Sequence, residues 1–94
     1  MAEYLAAGTS ALAGADFTVV AGTPQTLFLK QASGDNVGAQ SNVDFEVQHK
    51  TSGGTYTTLF ILNSGNHPKQ ITAPGTYRVR RLASTGSSAG LDKE

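Results

Sequence analysis

The chain contains no cysteine and no tryptophan, and few of its residues are charged. Without cysteine no disulfide supports the fold and no thiolate chemistry is open to it. Charged residues make up 15%, against roughly 25% in an average globular domain. Seven Lys and Arg balance seven Asp and Glu, so the formal net charge is zero. A neutral surface does not steer a chain to nucleic acid or to an anionic membrane, and it guards poorly against self-association. No run of about 18 apolar residues exists from which a membrane-spanning helix could be made. "MAEYLAAGTSALAGA" has Glu3 where a secretory leader carries positive charge, and Gly8, Thr9 and Ser10 break its apolar run. The sequon Asn-X-Ser/Thr is missing. Synthesis in a cytoplasm without a recognisable export route is the expectation.

What is present is glycine, threonine, serine and alanine, with apolar residues in short alternating runs. Ninety-four residues make one domain that buries roughly 60–65% of its unfolded surface, enough to fold alone with little to spare. Residues 1–14 are Ala/Gly-rich and punctuated by Gly8 and Gly14. They read as an N-terminal arm, either frayed or ordered on a partner, in which Tyr4, Leu5 and Leu12 would be the contacts. Residues 15–94 read as a single β-domain.

Strands follow at short spacing. Asp16–Val20 places Phe17 and Val19 on one face, and "AGTP" turns the chain into Gln25–Lys30, with Leu27 and Leu29 on one face and Phe28 on the other. "QASGDNVGAQSN" (31–42) reads as a polar loop with a turn at "GDN". Val43–Lys50 alternates cleanly: Val43, Phe45, Val47 and His49 inward, Asp44, Glu46, Gln48 and Lys50 outward. "TSGG" is a hairpin loop into Thr55–Leu62. After "NSGNHP", Lys69–Thr72 is a short strand, and "APG" turns into Thr76–Leu82. There Tyr77, Val79 and Arg81 alternate with Thr76, Arg78, Arg80 and Leu82. "AGLD" near the end reads as a last short edge strand. About six or seven short antiparallel strands, with no helix of ordinary length, predict an all-β fold: a compact β-sandwich of jelly-roll or immunoglobulin-like type. "GTPQTLFLK" (22–30) and "GTYTTLFIL" (54–62) echo one another, as two turn-then-strand units with apolar residues on both faces.

The second of these units poses the main question. Strict alternation puts Tyr56, Phe60 and Leu62 on one face of the strand and Leu59 and Ile61 on the other. In a two-layer fold the outer face meets water, and each exposed Leu or Ile forgoes about 1.5–3 kcal/mol of burial. Leu59 and Ile61 are therefore expected to mark a contact with the N-terminal arm or with another subunit.

No constellation of catalytic residues accompanies these strands. His49 ends an inward row and reads as a rim histidine, His67 precedes Pro68 in a turn, and no Ser or Thr sits in Gly-X-Ser-X-Gly. Asp35 and Asn36 share a loop without calcium-ligand spacing. No catalytic residue, metal or cofactor is expected, and an enzyme is not. Arg78, Arg80 and Arg81 are the one basic cluster. Arg78 and Arg80 share an outward face, either solvated and paired with Asp44 or Glu46 or contacting a protein partner; nucleic acid would ask for more positive charge.

A small, neutral, cysteine-free β-domain with an Ala/Gly/Thr/Ser-rich start and a closing "APGTYRVRRLASTGSSAG" (73–90) resembles the small virion proteins of tailed bacteriophages, most of all head decoration (cement) proteins. The resemblance implies a β-sandwich or jelly-roll subunit, dimeric or trimeric, that binds the major capsid protein on the virion surface and stabilises the shell without catalysis. The candidate contact residues are Tyr4, Leu5, Leu12, Leu59, Ile61, Arg78 and Arg80. The alternative is a β-sandwich binding module of a phage tail or adhesin, which recognises a receptor or a carbohydrate.

Overall fold

The computed structural model describes residues 2–31, 43–63, 68–83 and 88–94, and no helix occurs among them. Their strands are β1 (Ala2–Gly8), β2 (Leu12–Ala13), β3 (Phe17–Val19), β4 (Gln25–Gln31), β5 (Asp44–Lys50), β6 (Tyr56–Asn63), β7 (Lys69–Ile71), β8 (Gly75–Arg81) and β9 (Ala89–Lys93). The two short turns read from the sequence close as expected. Thr23 N–H donates to the Val20 carbonyl at 3.1 Å, and Thr51 N–H to the Thr55 carbonyl at 2.7 Å. The turn at 34–36, the residues Asp35 and Asn36, and His67 lie outside the described residues.

The strands form two antiparallel sheets. One has the order β1-β9-β4-β7; the other has β2-β8-β5-β6, with β3 also pairing β8. β2 and β3 follow one another along the same edge of β8, opposite Arg81–Arg80 and then Tyr77–Gly75, as one interrupted strand. Taken so, the pairings nest: first strand with last (β1·β9), β2/β3 with β8, β4 with β7, and β5 with β6. Pairing of β9 with β4 and of β8 with β5 completes the sheets.

Their inner faces share one core. Leu5, Leu27, Leu29, Ile71 and Leu91 come from the first sheet, and Phe17, Val19, Phe45, Val47, Leu62, Tyr77 and Val79 from the second. These are the alternate residues expected for β3, β4, β5 and β8. A half-buried strand keeps one face apolar because successive side chains point to opposite sides. Arg81 continues the Tyr77–Val79 row and is also buried, at 4% exposure. Its Nε donates to the Ser10 carbonyl and its Nη1 to the carbonyls of Ala6 and Ala89, at 2.7–2.9 Å. The cation is thus solvated by backbone, and it ties β8 of one sheet to β1 and β9 of the other.

Three expectations are corrected. The "AGLD" segment is an inner strand, since β9 lies between β1 and β4. Residues 2–8, expected in an extended arm, form β1 on the chain's own β9, and Leu5 is 5% exposed. Tyr56, expected in the core row with Phe60 and Leu62, sits on the opposite face, because β6 changes phase at a bulge. Phe60 pairs with Val47 and Thr58 with Gln48, which leaves Leu59 as an extra residue. Inward residues downstream of Leu59 are in step with Val47 and Phe45, while Tyr56 pairs with the outward Lys50.

β1 carries a bulge of the same kind. Glu3 pairs with Asp92 and Leu5 with Leu91, leaving Tyr4 extra. A second irregularity between Leu5 and Gly8 draws the β1 backbone over Gly90, where an added Cβ would lie 2.4 Å from the Leu5 carbonyl oxygen. Only glycine fits there, because the obstruction is backbone.

Candidate interaction surface

The expected contact residues fall into two groups. Tyr4 and Leu5 are committed to the chain's own fold. The Tyr4 ring packs edge-on against Phe17, with centroids 5.4 Å apart. Its hydroxyl donates to the Ala15 carbonyl and accepts from Val79 N–H, the latter at 3.2 Å. It fills the interruption between β2 and β3, where no ladder bond would otherwise serve those two groups. An added Cβ on Gly14 would overlap the ring, at 2.3 Å from one ring carbon. Burial raises the Tyr4 hydroxyl pKa above its usual value. Leu5 is buried in the chain's own core, and Tyr4 is half-buried against it with its hydroxyl engaged on both sides, so both serve the chain's own fold rather than a free arm.

Leu12, Leu59, Ile61, Arg78 and Arg80 remain on the surface. Leu12 is 47% exposed on β2, at the edge of its sheet beside Arg81. Ile61, Arg78 and Arg80 gather on the outer side of β8, β5 and β6. Leu59 is 51% exposed at the bulge. Ile61 is half-buried opposite Glu46, and Glu46 lies opposite Arg80. This face is ordered by side chains that bridge neighbouring strands. Arg80 Nη1 meets Glu46 Oε1 at 3.1 Å, and Thr58 Oγ1 is 3.4 Å from Glu46 Oε2. Arg78 Nε donates to Gln48 Oε1 at 2.7 Å, and its guanidinium carbon lies 3.5 Å from the Tyr56 ring centroid. At the far end, Tyr56 donates to Asp16 Oδ1 at 2.7 Å, and Lys50 Nζ lies 3.2 Å from Asp16 Oδ2. The Tyr56 hydrogen bond, then Lys50, hold the Asp16 carboxyl below its ordinary pKa, and the same bond raises that of Tyr56.

The pairing of Arg80 with Glu46 was legible as a cross-strand pair of opposite charges. The roles of Tyr56, Gln48 and Asp16 were not. Tyr56 reaches this face only through the phase change at Leu59. No sequence signal marks the bulges, since Leu27-Phe28-Leu29 in β4 is also a run of large apolar residues and pairs in unbroken register.

A second polar cluster lies on the outer side of the other sheet. Lys30 Nζ bridges Glu3 Oε2 at 2.5 Å and Asp92 Oδ1 at 2.9 Å, linking β4, β9 and β1. The two bonds, Glu3 first, raise the Lys30 pKa. Among the described residues no group of three or more His, Asp or Glu side chains is arranged to hold a metal ion.

No family model, curated protein or solved structure matches this chain.

Proposed function

We propose that the protein is a structural subunit of a tailed-phage virion, a head decoration (cement) protein. On this reading it binds the major capsid protein on the capsid surface and stabilises the shell by protein–protein contact without catalysis. The observation that carries the reading is the outer side of β8, β5 and β6. There a half-buried Ile61 stands on the face of two arginines already fixed by neighbours, and Leu59 is exposed at the bulge of the adjoining edge strand. Apolar contact flanked by preordered Arg is the composition of an interface rather than of an idle solvated face.

The fold is compatible with it. The nested pairing, with β2/β3 counted as one strand, is the order of an eight-stranded jelly roll. An immunoglobulin-type sandwich does not have this order, and we take the jelly roll as the finer description. Viral capsid proteins are among the jelly rolls, as are lectin domains, so analogy of fold is compatible with this reading and with the carbohydrate-binding one.

The test is co-sedimentation with expanded, empty capsids of the phage that carries the gene. Saturable pelleting that is weakened by Leu59→Asp supports the reading; a chain that stays in the supernatant at every concentration overturns it.

The second reading, a receptor- or carbohydrate-binding module, gains from Tyr56 facing outward. One face of that ring is occupied by Arg78 and its hydroxyl by Asp16, so a sugar would find only part of the stacking platform it needs. Binding to a glycan array that Tyr56→Ala abolishes would favour this reading.

A further inference from the structure

The outer face of β8 and β5 carries two charges that form no direct ion pair among the described residues, and they sit symmetrically about a third, paired set. Asp44, Glu46 and Gln48 alternate along the outer row of β5. Arg80 stands opposite Glu46, and Arg78 opposite Gln48. Glu46 and Arg80 neutralise one another at 3.1 Å. Arg78 uses Nε for Gln48 and one flat face for Tyr56. These contacts fix its guanidinium without a direct ion pair; the carboxylate its charge acts on, Asp16, is already paired with Lys50. Asp44 is exposed and is absent from the ion pairs among the described residues. Two residues of strand separate each from the Glu46–Arg80 row, about 7 Å on either side.

We infer that this face is where two copies of the chain meet. A twofold axis lying in the plane of contact, crossing the strands near the Glu46–Arg80 row, brings Arg78 of each copy over Asp44 of the other. The contact is isologous, because each patch is complementary to itself reversed. A purely acidic partner would suit Arg78 but be repelled by Asp44 on the same face; a second copy satisfies both. Near the axis the two Glu46–Arg80 pairs meet, each internally neutral at 3.1 Å, so that like charges facing one another there are already compensated. Ile61, on the same face beside Glu46, and Leu59 at the bulge add apolar area at the margin.

The sheet face measures about 20 by 25 Å from strand spacing and rise. That is smaller than the roughly 800 Å² per partner of a standard interface, so dimerisation is concentration-dependent and weakened by salt. The inference rests on the reading of the chain as a contact subunit, and it supplies the surface for the self-association that reading includes.

The test is sedimentation velocity on the full chain over a concentration series at low and high salt. The comparison is with Arg78→Glu, with Asp44→Lys and with their equimolar mixture, each shown to be folded by circular dichroism. Wild type should form dimers with rising concentration. Each variant alone should dissociate at least tenfold more readily. The mixture, in which every new charge meets its opposite, should recover dimers. A wild type that stays monomeric, or variants that dimerise like it, overturns the inference. Because capsid co-sedimentation is read separately, a monomer that still pellets with shells would remove the dimer and leave the contact reading intact. Failure to pellet would do the reverse.

Discussion

Among the described residues β1 and β6 are both edge strands, one in each sheet, and each has a bulge that leaves an extra residue beside a second large apolar side chain. Their fates differ. In β1 the extra residue, Tyr4, reaches the opposite sheet, and Leu5 next to it enters the core at 5% exposure. In β6 the extra residue, Leu59, stays 51% exposed, and the phase change sends Tyr56 outward to Arg78 and Asp16. A bulge lets an edge strand place two neighbouring side chains where strict alternation would separate them. One bulge fastens a strand to its own domain. The other leaves an apolar residue exposed, on an edge that it also disrupts against indiscriminate strand pairing.

Substitutions can break this comparison, beginning with the seat of β1. Gly90→Ala puts a methyl group into the Leu5 carbonyl. We expect a loss at or above the upper end of the 1–3 kcal/mol typical of overpacking, because backbone rather than a side chain must move. The readout is urea denaturation, with hydrogen exchange showing residues 2–8 deprotected first. A smaller effect separates the two tyrosines. Tyr4→Phe leaves the part-buried Val79 N–H without its acceptor and the exposed Ala15 carbonyl to water, at a cost of about 0.5–1.5 kcal/mol. Tyr56→Phe, on the outer face, should move the denaturation midpoint far less. Equal midpoint shifts would mean that the Tyr4 bridge is not a part-buried fastener.

The smallest effect is in the pH dependence. Asp16 is held below its ordinary value of 3.8 by Tyr56 and then Lys50. The unfolded chain therefore takes up this proton more readily as pH falls. The stability gained is complete above the ordinary value and is lost as pH falls through the lowered native one. In Asp16→Asn the acid side of the stability curve, measured by urea midpoints between about pH 2 and 6, should flatten. Lys30 acts at the other limb: its raised pKa gives stability that is present below 10.5 and lost as pH rises through the native value.

Much of the inner architecture was legible in the sequence. β5 shows unbroken alternation, so Phe45 and Val47 could be placed in the core from period alone, and Tyr77, Val79 and Arg81 likewise in β8. Arg81 stayed on that row because the surrounding backbone supplies the acceptors that water would have given. β1 was not legible, since Ala2–Gly8 is weak in β-forming residues and its pairing with β9 is irregular. "AGLD" was legible as a strand but not as an inner one, because only the nested pairing of first strand with last puts it beside β4. The echo between "GTPQTLFLK" and "GTYTTLFIL" joins strands with different surroundings. β4 has neighbours on both sides, whereas β6 pairs only with β5 among the described residues. Apolar residues on both faces of β6 were read as two covered faces; one of them is the mark of an inserted residue. Of the expected contact residues, the surface position of the four on β6 and β8 was legible. Tyr4 and Leu5 were not, because nothing in a single sequence says that an Ala-rich start folds back to close a core.

The most direct measurement compares Leu5→Ala with Leu59→Ala by urea denaturation of the monomer at low concentration. The account predicts a loss of about 2–5 kcal/mol for the buried Leu5 and a change within about 0.5 kcal/mol for the surface Leu59. Equal losses would contradict it, by showing that Leu59 is as much a part of this domain's own core as Leu5.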